Sequence, residues 1–502
     1  FTRVQNAFPV WETTLQGCKM LSRFGKRLYK GAKCFPGLGN DFTRVQNAFP
    51  VWETTLQGCK MLSRFGKRLY KGVKCFPNMG NDFTRMKNAF PTWETILQRK
   101  RMEQKNKIFN LGTFFCLYIA QTIPMSFFST VIPVMMRQEN FSLSAIGLLQ
   151  LIKLPWILKF LWSPMVDRHA RTTGDYKRWI FSSELIYAVL IFAVAFLDFK
   201  TDFYTIIALI IVSFVASATQ DIATDALAVL SFSRKDKSLV NSMQSMGSFG
   251  GSMIGGGVLL LLFKQLGWNS LLPCVALFVI VALLPLLFNR GLEIAPKDTH
   301  ERAKKADVFY FFTQKNIWKQ IGFLFLYYSG LIGTLAMLKP YLVDLGYSMK
   351  EIGVMSGVIG TSFGFIFSFV GGFIVRRIGR HWARILFAVL VLLATLYFLG
   401  LSYVTPTLGL LHAGIALLWG SYGMATIVVY TTAMDCVRPG REGTDFTIQT
   451  VITHLSGMVM AILSGKIADH TGYHGLFFFE VSLAALSLVY ILIVFRKEKE
   501  TV

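Results

Sequence analysis

Two aspartates four residues apart, Asp221 and Asp225, lie inside an apolar stretch covering residues 203–230. On a helix this spacing puts both carboxylates on one face. Like charges so placed repel, and partial desolvation adds to the effect, so one of the pair is expected to hold its proton at higher pH than a free aspartate does. That is the chemistry of a proton carrier. Gln220, one position around the helix, offers amide hydrogen bonds to the same face. The plainer alternative is that both acids merely bond to neighbouring helices. Lysines interrupt other apolar stretches. Lys153 is deep enough to meet an anionic solute, whereas Lys159, about two turns on, is expected to join an ion pair near a helix end. Lys339 precedes Pro340, which is expected to break its helix and free a carbonyl, with Asp344 one turn further; snorkelling of Lys339 to a membrane surface is an equal reading.

A second set of charges recurs at short polar turns. Trp162-Ser-Pro-Met-Val-Asp167-Arg168 and Gly371-Gly-Phe-Ile-Val-Arg376-Arg377-Ile-Gly-Arg380 are related in pattern, and in each the charges are placed to clamp helix ends in one conformation and release them in another. Asp435, Arg438 and Asp445 are expected to form one further charge cluster with the same role. Glu184, His454 and Glu480 are embedded ionisable groups to which the sequence assigns no partner; a lone histidine such as His454 is more often a packed residue than a proton relay.

The elements that must position these groups are membrane helices. Of the 502 residues, 53% are hydrophobic and 16% charged, against about a quarter charged in an ordinary soluble protein. A helix needs about 20 apolar residues to cross a bilayer, and such lengths recur. Hydropathy and loop breaks place spans near 109–136, 143–165, 179–198, 203–230, 239–263, 268–288, 318–343, 350–375, 382–402, 407–434, 444–467 and 473–495. The expected fold is all-α, with twelve transmembrane helices in two six-helix pseudo-repeats, residues 102–288 and 318–502, joined by a polar linker at 289–317. Lys and Arg concentrate in the loops after even-numbered spans and in the C-terminal tail, whereas the loops after odd-numbered spans carry only Arg137, Lys200, Lys264 and Lys350. By the positive-inside rule both termini are cytoplasmic. Glycine series at Gly247, Gly250, Gly251, Gly255, Gly256 and Gly257, and at Gly353, Gly357, Gly360 and Gly364, are expected to let helices pack closely and slide.

Residues 1–101 stand apart. Phe1–Asp41 recurs at Phe42–Asp82 with three changes (Ala32/Val73, Gly37/Asn78, Leu38/Met79), and a partial third copy starts at Phe83. Repeats in a stacked array diverge on their surfaces, whereas these match at every kind of position, so they read as a recent duplication, a disordered or artefactual extension before a start at Met102. The alternative is a basic amphipathic module for an anionic membrane surface, for which Lys60–Lys71 has suitable residues. The net charge of +24 is an orientation signal in the membrane part and not a stripe for nucleic acid.

The motifs Leu154-Pro-Trp-Ile-Leu-Lys159-Phe-Leu-Trp-Ser-Pro-Met-Val-Asp167-Arg168 and Ser217-Ala-Thr-Gln220-Asp221-Ile-Ala-Thr-Asp225-Ala resemble the AmpG muropeptide permease and acetyl-CoA transporter branch of the major facilitator superfamily. Met434-Asp435-Cys-Val-Arg438-Pro-Gly-Arg-Glu-Gly-Thr-Asp445-Phe-Thr-Ile-Gln449 departs from that branch and looks more like the RhtX/FptX group of siderophore permeases. The resemblance implies a monomeric, multi-pass protein of a bacterial inner membrane. It would import a siderophore-like or muropeptide-like solute toward the cytoplasm, with protons as co-substrate. A membrane-embedded solute sensor on the same fold is the alternative. No phosphate-binding GxxxxGK[ST] loop, nucleophile elbow, zinc spacing or CxxC pair occurs, so no enzyme activity, cofactor or metal is expected. A chain beginning at Met102 is expected to insert and transport as the full chain does; loss of either property would make the repeats part of the working protein.

Overall fold

The computed structural model describes residues 93–139, 152–294 and 303–496. The tandem repeats before Trp93 and most of the first half of the span expected at 143–165 lie outside them. The chain divides into two compact units, Phe1–Lys107 and Ile108–Val502. Every regular element among the described residues is helical. In order they are α1 (Trp93–Gln138), α2 (Leu154–Leu158), α3 (Ser163–His169), α4 (Thr173–Val194), α5 (Phe203–Ser231), α6 (Lys237–Met253) and α7 (Leu259–Phe288). After the linker come α8 (Asp307–Tyr310), α9 (Ile317–Leu326), α10 (Ser329–Asp344), α11 (Met349–Ile352), α12 (Thr361–Leu401), α13 (Leu408–Asp435) and α14 (Glu442–Val494).

Seven of the described helical segments are long and apolar enough to cross a membrane. Three of these, Arg234–Phe288, Lys350–Leu401 and Glu442–Val494, have 55, 52 and 53 residues, more than twice the length one crossing needs. Each is broken inside by a glycine at positive φ with an extended ψ: Gly267, Gly379 and Gly472. That backbone region is closed to residues with a side chain, so one glycine interrupts the helix where the sequence placed a boundary between spans.

Other stretches depart from smooth helices. From Ile152 onward the expected second span is α2, a 3-10 turn at Lys159–Leu161, then α3, with Pro155 and Pro164 at the helix starts; proline tolerates a first turn but not an interior. The expected break at Pro340 does not occur: α10 continues through it to Asp344. The interruption falls earlier, between α9 and α10, where Tyr328 leaves the helical region. Both glycine series contain π-helical turns, Ile254–Val258 and Gly353–Gly360, and these turns touch each other. Such turns are frequent at functional positions in helices.

Packing explains the first glycine series. A Cβ added at Gly247 would lie 2.6 Å from the Tyr118 Cβ, and one at Gly251 equally close to the Thr122 Cβ. Here α6 meets α1 nearly backbone to backbone. The second series is only partly used this way: Gly364 faces Phe249, whereas Gly353 and Gly357 have open space. Elsewhere α4 starts with a capping box in which Thr172 Oγ accepts from the Asp175 N–H at 3.2 Å and the Asp175 carboxylate accepts from the Thr172 N–H at 2.9 Å. The latter bond is the main force holding the Asp175 carboxyl below the usual carboxylate range. Elements from the two sides of the linker also pack together: α6 on α12 and α13, and α14 on α3 and α5.

Gly379→Val is expected to destabilise the detergent-solubilised protein by about 1–3 kcal/mol, because valine cannot adopt that backbone conformation. Thermal unfolding measures it, and an unchanged midpoint would mean that the break does not depend on glycine.

Candidate functional site

α5 brings the two aspartates into the protein interior, where Asp221 is 3% exposed and Asp225 fully buried. Asp221 pairs with Lys159, whose Nζ lies 2.5 Å from Oδ2. Lys159 is itself 1% exposed and sits 5.3 Å from the centre of the Trp156 ring, so a carboxylate and an aromatic face compensate its charge in place of water. The 3-10 turn at Lys159–Leu161 presents this side chain to α5. The other carboxylate oxygen of Asp221 accepts from Gln121 Nε2 at 3.0 Å.

Asp225 makes no ion pair among the described residues. Its Oδ1 accepts from the Tyr118 hydroxyl at 2.7 Å and from Gln244 Nε2 at 3.2 Å, while Oδ2 has no partner. Both amide ends of Gln220 are likewise buried without a partner. The result is a polar cluster contributed by α1, the turn before α3, α5 and α6, with unused hydrogen-bonding capacity. Lys153 is half-buried at the start of α2 and makes no ion pair among the described residues. Lys339 is exposed on α10, away from this cluster, and Asp344 instead accepts from the Tyr473 hydroxyl at 2.6 Å.

Several of the charges expected at helix ends make other contacts than those foreseen. Lys159 makes the expected ion pair, with Asp221 in the buried cluster as its partner. Asp167 does not use Arg168, which is exposed. Its carboxylate accepts instead from the Gly443 N–H at 3.0 Å and from the Thr444 N–H and hydroxyl, each at 2.7 Å. An acid thereby caps the positive N-terminus of α14, across the linker. Arg376 pairs with Asp236 at 3.0 Å. Arg377 is exposed, and Arg380, beyond the break at Gly379, donates to Asp435.

The expected cluster of Asp435, Arg438 and Asp445 is in fact two. Asp435 lies among Arg380, Lys237 at 3.5 Å and Arg234 at 3.7 Å. Asp445 takes a fork from Arg438, Nη2 at 2.6 Å and Nε at 2.9 Å, and Asp307 faces both Arg438 and Arg441. Asp435 terminates α13 whereas Asp445 is already inside α14, and the turn between them directs the two carboxylates to different neighbours. Further contacts across the linker reinforce this region: Lys237 donates to the Met434 carbonyl at 2.6 Å, Ser238 to the Gly372 carbonyl at 3.0 Å, and Asn241 to Thr431 at 3.3 Å.

Sequence reasoning missed Tyr118, Gln121 and Gln244 in the cluster and Lys237, Asp236, Asp307 and Arg441 at the helix ends. Polar residues inside apolar spans were a usable signal for Gln121 and Gln244; the loop charges offered none beyond their sign. Among the described residues, no group of His, Cys, Asp and Glu is arranged to hold a metal ion.

Long apolar helices folded around a buried charge pair define a multi-pass membrane protein. Residues 113–458 match the Major Facilitator Superfamily; the chain belongs to that family, and it is a transporter by fold. It is 24% identical over 386 residues to the anhydromuropeptide permease of Escherichia coli (strain K12), covering 75% of this chain and 78% of that one. It is 21% identical to the putative transporter AmpG 4 of Rickettsia conorii, over 76% of this chain and 95% of the relative. Among solved structures, the proton:xylose symporter XylE superposes with a TM-score of 0.60 at 10% identity, covering 76% of this chain and 94% of that one. A bacterial homologue of the iron transporter ferroportin, in an outward-facing state, gives 0.57 at 16% identity, covering 77% and 98%. These two likenesses concern the fold.

Lys159→Met is expected to cost about 3–5 kcal/mol of stability, because Asp221 is left charged and buried, and adding Asp221→Leu is expected to recover most of it. Thermal unfolding in detergent reads both; equal losses in the single and double variants would show that no such pair holds the helices.

Proposed function

We propose that this chain is a proton-coupled importer that carries a muropeptide-like solute from the periplasm across a bacterial inner membrane into the cytoplasm. The observation that carries the reading is the pair of buried carboxylates, Asp221 and Asp225, one ion-paired with Lys159 and one held only by neutral donors. A proton arriving at Asp221 neutralises the carboxylate and weakens its hold on Lys159, so protonation and helix contacts change together. Asp225, four residues on, is placed to share that proton. Gln220, with both amide ends unused, and Lys153, half-buried without an ion pair, are the groups proposed to meet the solute.

Twelve crossings in two six-helix halves, 102–288 and 318–502, follow if the three long helical segments each cross twice at Gly267, Gly379 and Gly472. Loop charge supports cytoplasmic termini. The contacts of Asp167 with α14, of Arg376 with Asp236, and of Asp435 and Asp445 with their arginines then form the cytoplasmic gate, closed here and opened when the halves rock. Similarity to the anhydromuropeptide permease favours a muropeptide. A siderophore is the second reading, favoured by the segment Met434–Gln449, whose acids build this gate.

The test is uptake of radiolabelled anhydromuropeptide into proteoliposomes holding the full chain, under an imposed inside-alkaline pH gradient. Accumulation that a protonophore abolishes is expected. Asp221→Asn is expected to lose uphill accumulation while keeping solute exchange; accumulation unchanged in this variant would remove Asp221 from the coupling. Ferric siderophore accumulating in place of the muropeptide would select the second reading.

A further inference from the structure

Beside the Asp221–Lys159 pair stands a third acid. Glu184 of α4 is fully buried, and neither of its carboxyl oxygens has a hydrogen-bond partner. Donors rank the three acids. Asp221 has an ammonium and an amide; Asp225 has a phenol and an amide on one oxygen; Glu184 has nothing. The surroundings offer it no help. Asp221, on α5, is the charged group that acts on it, and it is of like sign. Tyr187, one turn along α4, directs its hydroxyl to the Gln121 carbonyl of α1 at 3.4 Å. From α7, Leu271, Val275 and Val279 join Tyr187 and Ala188 in one apolar core. A carboxylate with no donor, no cation and an anion nearby is strongly disfavoured inside a protein.

We propose that Glu184 is a second proton-carrying site, loaded in this conformation, so that the transporter moves one more proton per solute than the Asp221–Asp225 pair alone would carry. The proposal rests on the reading of Asp221 as a proton carrier. Glu184 of α4 is within electrostatic reach of Asp221 of α5, and the two helices pack together. Water that reaches the pair when the halves part reaches Glu184 too. Hydration removes the penalty on its charged form, and the proton passes from the carboxyl oxygen to water, leaving the carboxylate. On closure the same burial recaptures a proton. A buried acid that kept its proton throughout would add nothing to the flux, and this difference is measurable.

The experiment is the proton-to-solute ratio of the full chain in proteoliposomes, obtained from the membrane potential that just halts net flux of radiolabelled anhydromuropeptide. Glu184→Gln, which mimics the neutral acid in shape, is expected to lower the ratio about twofold while uptake stays proton-driven. Glu184→Asp, which keeps the acid, is expected to retain the wild-type ratio. A wild-type ratio of a single proton overturns the proposal without any variant, and so does a wild-type ratio that survives in Glu184→Gln. Equal behaviour of the Gln and Asp variants makes the site structural and also overturns it. Wild-type flux indifferent to protons overturns the coupling reading at Asp221 itself, an outcome distinct from the others.

Discussion

The Lys159–Asp221 pair is the constraint around which the described structure is arranged. Two opposite charges taken out of water lose more hydration than their attraction returns unless further donors and a close contact complete the site. Gln121 and the Trp156 ring provide that completion, and α2, the 3-10 turn and α3 give up a smooth helix to deliver the lysine where it is needed. A pair assembled this way is a poor means of stabilising a protein. Under the proposed function its value lies in being conditional: one proton would change the balance, and the helices that hold the pair would feel the change.

The rest of the polar interior grades away from that pair. Neutral donors suffice for Asp225, and Glu184 sits among apolar side chains with none. This gradient runs through α1, α4, α5 and α6, and Gly247 and Gly251 let α6 approach α1 closely. Larger residues at these positions would push α6 away from α1 and separate Gln244 from Tyr118, the two groups that share Asp225.

Much of this was legible in the sequence because periodicity and composition report on single helices. The spacing of Asp221 and Asp225 needs only a helix to put both on one face. The span boundaries near Gly267, Gly379 and Gly472 were visible because polar residues and glycine interrupt an apolar run. Contacts between helices were harder. Lys159 finds Asp221 across 62 residues, and nothing local distinguishes that partner from a nearer acid. Arg377 adjoins Arg376 in sequence yet is exposed, whereas Arg380, beyond the helix break at Gly379, is the arginine that reaches Asp435. The assumed break at Pro340 failed because a lost N–H donor need not interrupt a helix that its neighbours support. The partner of Asp167 left no sequence signal, because its donors include two backbone N–H groups.

That last contact bears on how the protein can change over generations. An ion pair ties two side chains together, so a substitution on either side must be answered on the other. Asp167 reaches the peptide groups of Gly443 and Thr444, which nearly every amino acid would supply, and the Thr444 hydroxyl, which only threonine or serine would. Only proline would remove a donor there, although a bulky residue at 443 would crowd the carboxylate and Ile222. The acid is therefore bound to its position while its partner is partly free to drift. Related chains are expected to keep the aspartate and a hydroxyl residue at 444, while the two peptide donors leave no trace in covariation between aligned sequences.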